Sequence, residues 1–211
     1  MTRITLGILL VIACVLLAQA GCRAKAPTTA TPEPVTGFTL SSPAFQANGT
    51  LPVEYTCDGE NGGRSPALAW TNAPAGTACL ALVMRTLALD GTKWNWVLYN
   101  IPAGVSALAE STSGVGTAGL TSDGPERRYY PPCSQGPGAK TYTFTLFSLS
   151  GTPSFSVPAD SVNGPILVSA IAGMVLDSCT LGVSYTRPSA AVGLTPEQWR
   201  DVDARRKPRH R

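Results

Sequence analysis

Between residues 38 and 187 the apolar residues fall in short runs broken by glycine and proline, the spacing expected of an all-β chain. Leu80–Arg85 is apolar at successive positions up to Met84, so it reads as a central strand buried on both faces. Trp94–Asn100 alternates, which predicts Trp94, Trp96 and Leu98 on one face and Asn95, Val97 and Tyr99 on the other. Tyr142–Leu149 alternates in the same way, with Tyr142, Phe144 and Leu146 opposite Thr143, Thr145 and Phe147, and Cys179–Tyr185 supplies a late strand through Leu181 and Val183. One helix is predicted, with Gly164 as its cap, Pro165 in its first turn, Ile166–Ala172 as its body and Gly173 as its stop. A second, short helix is expected to start at Thr195-Pro-Glu-Gln-Trp199. The pattern contains no internal repeat. It predicts a mainly β domain, a β-sandwich or large antiparallel sheet with a few short peripheral helices.

The flanks are of different character. Residues 1–21 carry Arg3, an apolar run Ile4–Leu17 and then small residues, the three parts of a secretory signal. The run is shorter than the ~20 residues that cross a bilayer. Ala20-Gly21-Cys22 matches a bacterial lipobox, which makes Cys22 the acylated first residue; Gln19 departs from the usual aliphatic residue, and plain secretion is the alternative. Residues 22–37 have little to bury and read as an extended tether. The domain then runs from 38 to 187, and 188–211 is a basic flexible tail.

Charge follows the same division. The formal net charge is +3, yet residues 37–187 hold nine acidic against seven basic side chains, so the basic excess sits at the two ends. Arg205–Arg211 suits anionic headgroups or plain solvation. Nucleic acid is not expected as the partner of an exported chain.

Six cysteines become four once Cys14 leaves with the signal and Cys22 is acylated. Cys57, Cys79, Cys133 and Cys179 form an even set in an oxidising compartment and permit three pairings. The preferred one joins Cys57 to Cys133, both in loops, and Cys79 to Cys179, both at strand starts; buried thiols are the alternative. A metal site is not expected, because there is no Cys-x-x-Cys and the one histidine, His210, lies in the tail. The same absence removes histidine-based nucleophilic and general-base schemes from the domain. Asp58, Glu60, Asp90 and Asp123 lie in glycine-rich or polar stretches and read as turn residues. No catalytic residue and no cofactor are expected.

Six segments carry a resemblance: Ser42-Pro-Ala-Phe45 with Leu51-Pro52 and Tyr55-Thr-Cys-Asp-Gly59, then Ser65-Pro-Ala-Leu-Ala-Trp70, Leu80-Ala-Leu-Val83, Trp94-Asn-Trp-Val-Leu-Tyr-Asn-Ile-Pro102, Pro131-Pro-Cys133 and Gly138-Ala-Lys-Thr-Tyr142. In this order, from about Phe38 to Arg187, the chain resembles the phosphatidylethanolamine-binding protein family, in particular its bacterial Raf-kinase-inhibitor-like branch. The resemblance implies a β-sandwich and an anion pocket built from an aspartate, two histidines, an arginine and a tyrosine. The matching positions here are Thr86, Asn95, Lys140, Thr141 and Tyr142, so only the tyrosine is kept. Lys140 with neutral donors around it makes a reasonable clamp for a small anion; a vestigial pocket is the alternative.

Trp70, Trp94 and Trp96 are candidates for an aromatic wall or for core packing. Arg127, Arg128, Tyr129 and Tyr130 form a loop cluster suited, if exposed, to contact with a protein. The expected function is that of a non-enzymatic envelope lipoprotein that takes a small anion, a phospholipid headgroup or an envelope protein partner. The alternatives are a protein-contact inhibitor of protease or kinase type, a weak envelope hydrolase, and a structural lipoprotein.

Overall fold

A computed structural model describes residues 37–88, 90–124, 126–133 and 138–187. The signal segment, Cys22 and the tether to residue 36, the basic tail and the helix expected at Thr195 lie outside the described residues.

The alternation in the sequence becomes two antiparallel sheets. Strands β1 (Thr39–Ser41), β2 (Leu68–Thr71) and β5 (Ala107–Leu108) form a small sheet in the order β1-β2-β5. Strands β3 (Cys79–Ala88), β4 (Gly91–Pro102), β6 (Thr117–Ala118), β7 (Lys140–Leu149) and β8 (Val175–Tyr185) form the large one, in the order β6-β4-β3-β7-β8. One core lies between the sheets. Leu40, Leu68, Trp70 and Leu108 meet Leu80, Leu82, Met84, Trp96, Phe144, Leu146 and Leu181 there. A second core lies on the other side of the large sheet, where Ala81, Val83, Val97 and Tyr99 pack against Leu167 and Ile171 of helix α1 (Gly164–Ile171). The first six residues of β3, Cys79 to Met84, are therefore covered on both faces, which is why they read as an apolar run with no polar alternation. The upper part of β8 is sealed by residues 48–51, through Leu51 N–H to Ser184 O at 2.7 Å and Ser184 N–H to Gly49 O at 2.8 Å.

Two expectations about strand and helix need correction. Trp94 does not share a face with Trp96 and Leu98. Met84 pairs with Trp96 and Arg85 with Trp94, which leaves Asn95 without a partner on β3. This β-bulge resets the alternation and turns Trp94 into the core beneath α1. The helix is capped by Asn163 rather than Gly164, with Asn163 Oδ1 accepting from Ile166 N at 3.0 Å. Gly164 is the first helical residue, and it is glycine because any Cβ there would overlap the Trp94 ring.

The cysteine pairing is half as expected. Cys57 and Cys133 form a disulfide, with Cα atoms 5.2 Å apart across 76 residues of chain. Cys79 and Cys179 are buried free thiols. β7 lies between their strands, Cys79 belongs to the core under α1, and Cys179, in mid-strand, belongs to the core between the sheets. Two strand spacings of roughly 4.8 Å and opposite faces put them beyond the ~7 Å reach of a disulfide.

Gly164→Ala should destabilise the domain by about 1–3 kcal/mol in urea unfolding, because the added Cβ would overlap the Trp94 ring. Asn163→Ala should cost about 1 kcal/mol through the lost cap alone.

Candidate functional site

The strand register gathers polar side chains at one end of the large sheet. Thr86 stands opposite Lys93 on β4 and Tyr142 on β7, and Lys140 stands opposite Tyr185 on β8. Directly opposed residues share a face, and so do residues two apart on one strand, so Thr86, Lys93, Lys140, Tyr142 and Tyr185 lie together. Thr141 falls on the reverse face. It helps line a shallow depression of about 360 Å³ with Arg85, Leu87, Thr92 and Thr143, to which Thr86 also contributes. The expected set is thus divided by the pleat of β7. Thr86 is also engaged, its hydroxyl donating to Thr141 O at 2.6 Å.

Two loops close over this end. Tyr130 N–H donates to Asn95 O at 2.7 Å, and Asn95 Nδ2 donates to Tyr130 O at 3.1 Å. Tyr129 is buried, with its ring set edge-on to Trp96 at 5.3 Å and its hydroxyl on Tyr55 O at 2.7 Å. The expectation of an exposed tyrosine contact is overturned for Tyr129, because the Tyr-Tyr-Pro-Pro segment straps onto β4 and turns that ring inward. Arg127 and Arg128 remain exposed, and Arg128 pairs with Glu126. Beyond the strap, the Cys57–Cys133 disulfide and Cys57 N–H to Pro132 O at 3.0 Å join it to the Tyr55–Gly59 loop. Trp70 and Trp96 are core residues, Trp70 donating its indole N–H to Val105 O at 3.0 Å. With Trp94 under the helix, the three tryptophans form no common wall.

The groups that sequence reasoning missed are Asp58, Tyr185 and Arg187. Arg187 Nε and Nη2 grip Asp58 at 3.0–3.2 Å, and Tyr185 donates its hydroxyl to Asp58 Oδ2 at 2.6 Å. The Arg187 and Asp58 side chains are only 6% and 19% exposed. A carboxylate and a guanidinium therefore do stand at this end of the sheet, supplied from Asp58 and Arg187 rather than from positions 86 and 141. A glycine-flanked Asp58 looks like a turn, and its partner lies 129 residues away. Next to them, Tyr55 donates to Glu110 Oε2 at 2.8 Å, and Glu110 pairs with Arg64 at 2.6 Å.

These surroundings keep the phenols and thiols protonated. Burial pushes Tyr142 up to about 12, reinforced by Tyr185 and Asp123. Burial and then the Glu110 hydrogen bond raise Tyr55 to about 12. Tyr129 lies well above the usual range through burial. Burial likewise pushes the Cys179 thiol up to about 12 and raises Cys79. Neutral phenols donate hydrogen bonds and a lysine carries positive charge, so the arrangement suits holding a ligand better than attacking one.

Comparison with known proteins agrees with this architecture. The family model described as phosphatidylethanolamine-binding protein matches residues 41–186. LppC of Mycobacterium tuberculosis, whose name marks it as a lipoprotein candidate, is 33% identical over 114 residues. That match covers 53% of this chain and 55% of LppC, so the chain spans about half of that relative's length. A UPF0098 protein of Methanothermobacter thermautotrophicus is 31% identical over 157 residues, covering 70% of this chain and 98% of that protein. Among solved structures, CT736 of Chlamydia trachomatis, described as a candidate homolog of the same family, superposes with a TM-score of 0.65 at 26% identity. That superposition covers 73% of this chain and all of CT736.

The raised phenols fix a pH dependence. Below pH 10 they are neutral in both folded and unfolded chains. Between about pH 10 and 12 the unfolded chain ionises first, so folding stability should fall as pH rises through that window. Phenolate absorbance of the native protein should accordingly lag behind that of the denatured protein, with Tyr55 and Tyr142 among the last to ionise.

Proposed function

The chain belongs to the phosphatidylethanolamine-binding protein family, and from that premise we propose that it is a non-catalytic binding protein of the cell envelope. In this reading it is held by a lipid on Cys22 and takes a small phosphate-type anion, free or as part of a phospholipid headgroup, through Lys140 and Tyr142. The observation that carries it is the position of Lys140. It sits half-buried, opposite Tyr185 and two residues from the buried Tyr142, and among the described residues it forms no ion pair. Lys93 and Arg187, by contrast, each have a carboxylate, Asp90 and Asp58. An ammonium with a neutral phenol donor beside it stabilises a bound oxyanion by charge-assisted hydrogen bonding.

The state of the remaining reactive groups supports a binding role over an enzymatic one. The phenols and the two free thiols have raised pKa values and stay protonated near neutral pH. Asp58 is held by a guanidinium and a phenol, which makes it a weak general base. The lipobox, together with the lipoprotein name borne by LppC, supports the envelope location. A protein-inhibitor role retains only the exposed Arg127–Arg128 turn and the half-buried Tyr130, since Tyr129 is internal.

Calorimetric titration of the protein with inorganic phosphate tests the reading. Saturable binding is expected, weakened about tenfold or more in Lys140→Ala. The absence of heat across millimolar phosphate, or Lys140-dependent turnover of a phosphate or carboxylate ester, would contradict it.

A further inference from the structure

The end of the large sheet opposite Lys140 has a composition of its own. Cys79, which opens β3, pairs with Pro102 at the end of β4 and with Leu149 at the end of β7, and Leu149 pairs with Val175 at the start of β8. The segments that meet there are residues 72–78, 103–106, 150–158 and 172–174, and none contains a lysine, arginine, aspartate or glutamate. The closest charges in sequence, Glu110, Asp160 and Asp177, are all acidic. Two aliphatic side chains stand out to water at this end, Val175 at 38% and Leu176 at 45% exposure. An uncharged surface with apolar side chains at its tip is the kind that a partner covers.

The chain enters the domain at the same end. β1 begins beside the end of β2, with Thr39 opposite Thr71, and Asn72 Nδ2 donates to Gly37 O at 3.2 Å. The loop that follows Asn72 reaches Leu176, since a Cβ on Gly76 would stand 4.0 Å from Leu176 Cδ1. Residues 22–37 separate this entry from Cys22. A coil of that length spans about 20–25 Å on average. That is less than the roughly 33 Å length of a ten-residue strand such as β3. A domain held by a lipid on Cys22 therefore meets its bilayer with the uncharged end more readily than with the end that carries Lys140. The lack of cations also selects the surface, because attraction to anionic headgroups needs lysine or arginine.

We propose that this uncharged end, with Val175 and Leu176 at its tip, is a membrane-contact surface that lies on the neutral interface of the bilayer to which the chain is anchored. The contact depends on the reading of Cys22 as the anchor, which raises the local concentration of lipid and lets a small apolar tip suffice. It turns Lys140 and Tyr142 away from that bilayer, toward ligands of the aqueous compartment.

Hydrogen exchange of the full acylated chain on phosphatidylcholine vesicles, compared with the dilute Cys22→Ala chain in solution, reads the contact. Amides in 72–78, 103–106 and 172–176 should slow about tenfold on the vesicles, as occupation for about nine-tenths of the time requires. Those of the strap and of Lys140 should keep their rates, and raising the salt should change neither result. Leu176→Asp, a change at an exposed position, should abolish the slowing while the chain stays on the vesicles. Slowing at the Lys140 end instead, or nowhere, in a chain that remains vesicle-bound would overturn the contact surface and leave the anchor standing. Slowing of the same loops in the unacylated chain as its concentration rises, without vesicles, would give the surface to a second copy and overturn the membrane contact. Failure of the full chain to associate with vesicles would overturn anchor and surface together.

Discussion

Taking a guanidinium and a carboxylate out of water is costly unless each finds its counterpart at good geometry. Arg187 and Asp58 meet that condition with three contacts between 3.0 and 3.2 Å, and Tyr185 adds a hydrogen bond of 2.6 Å. The pair joins the end of the last strand to a loop near the start of the domain. Through Cys57 that loop is joined covalently to Cys133 and so to the strap that covers Asn95. One end of the sandwich is thus closed by charge, disulfide and backbone hydrogen bonds that connect three distant parts of the chain. Lys140 and Tyr142 acquire their surroundings from that closure.

The elements legible in the sequence are those whose pattern is local. β3 reads as buried because its first half has a core on both faces, and β7 keeps its alternation from Tyr142 to Ser148 because over that span it pairs without a break with both β3 and β8. The helix was visible through Pro165 and its apolar residues. Its cap was displaced by one residue because Gly164 answers to the Trp94 ring, a contact that no local rule contains. The face of Trp94 departs from the sequence pattern for a similar reason. A bulge inserts one residue without altering composition, so alternation counted along Trp94–Asn100 carries the wrong phase at its start.

The candidate site is legible where one strand supplies it. Lys140 and Tyr142 share a face because they are two residues apart, and the same rule excludes Thr141. The missed groups, Asp58 and Arg187, are defined by each other across the whole domain. The arginines and prolines around Tyr129 suggest a surface residue, yet Trp96 gives it an aromatic partner that only the fold reveals. Cys57–Cys133 joins two loops, whereas Cys79 and Cys179 are separated by an intervening strand and by the sheet itself. In this family fold a buried carboxylate and guanidinium, Asp58 and Arg187, stand at the polar end of the large sheet, where the neighbouring phenols Tyr55, Tyr142 and Tyr185 have raised pKa values.

The most direct test of this account is the stability of Asp58→Ala, measured by urea unfolding at neutral pH with hydrogen exchange at the Tyr130 amide. Leaving the Arg187 guanidinium buried without its carboxylate should cost about 3–5 kcal/mol and speed exchange at Tyr130, because the strap is tied to the same loop. A loss below about 0.5 kcal/mol, with Tyr130 protected as before, would mean that the pair is an ordinary surface contact and that the polar end is organised by something else.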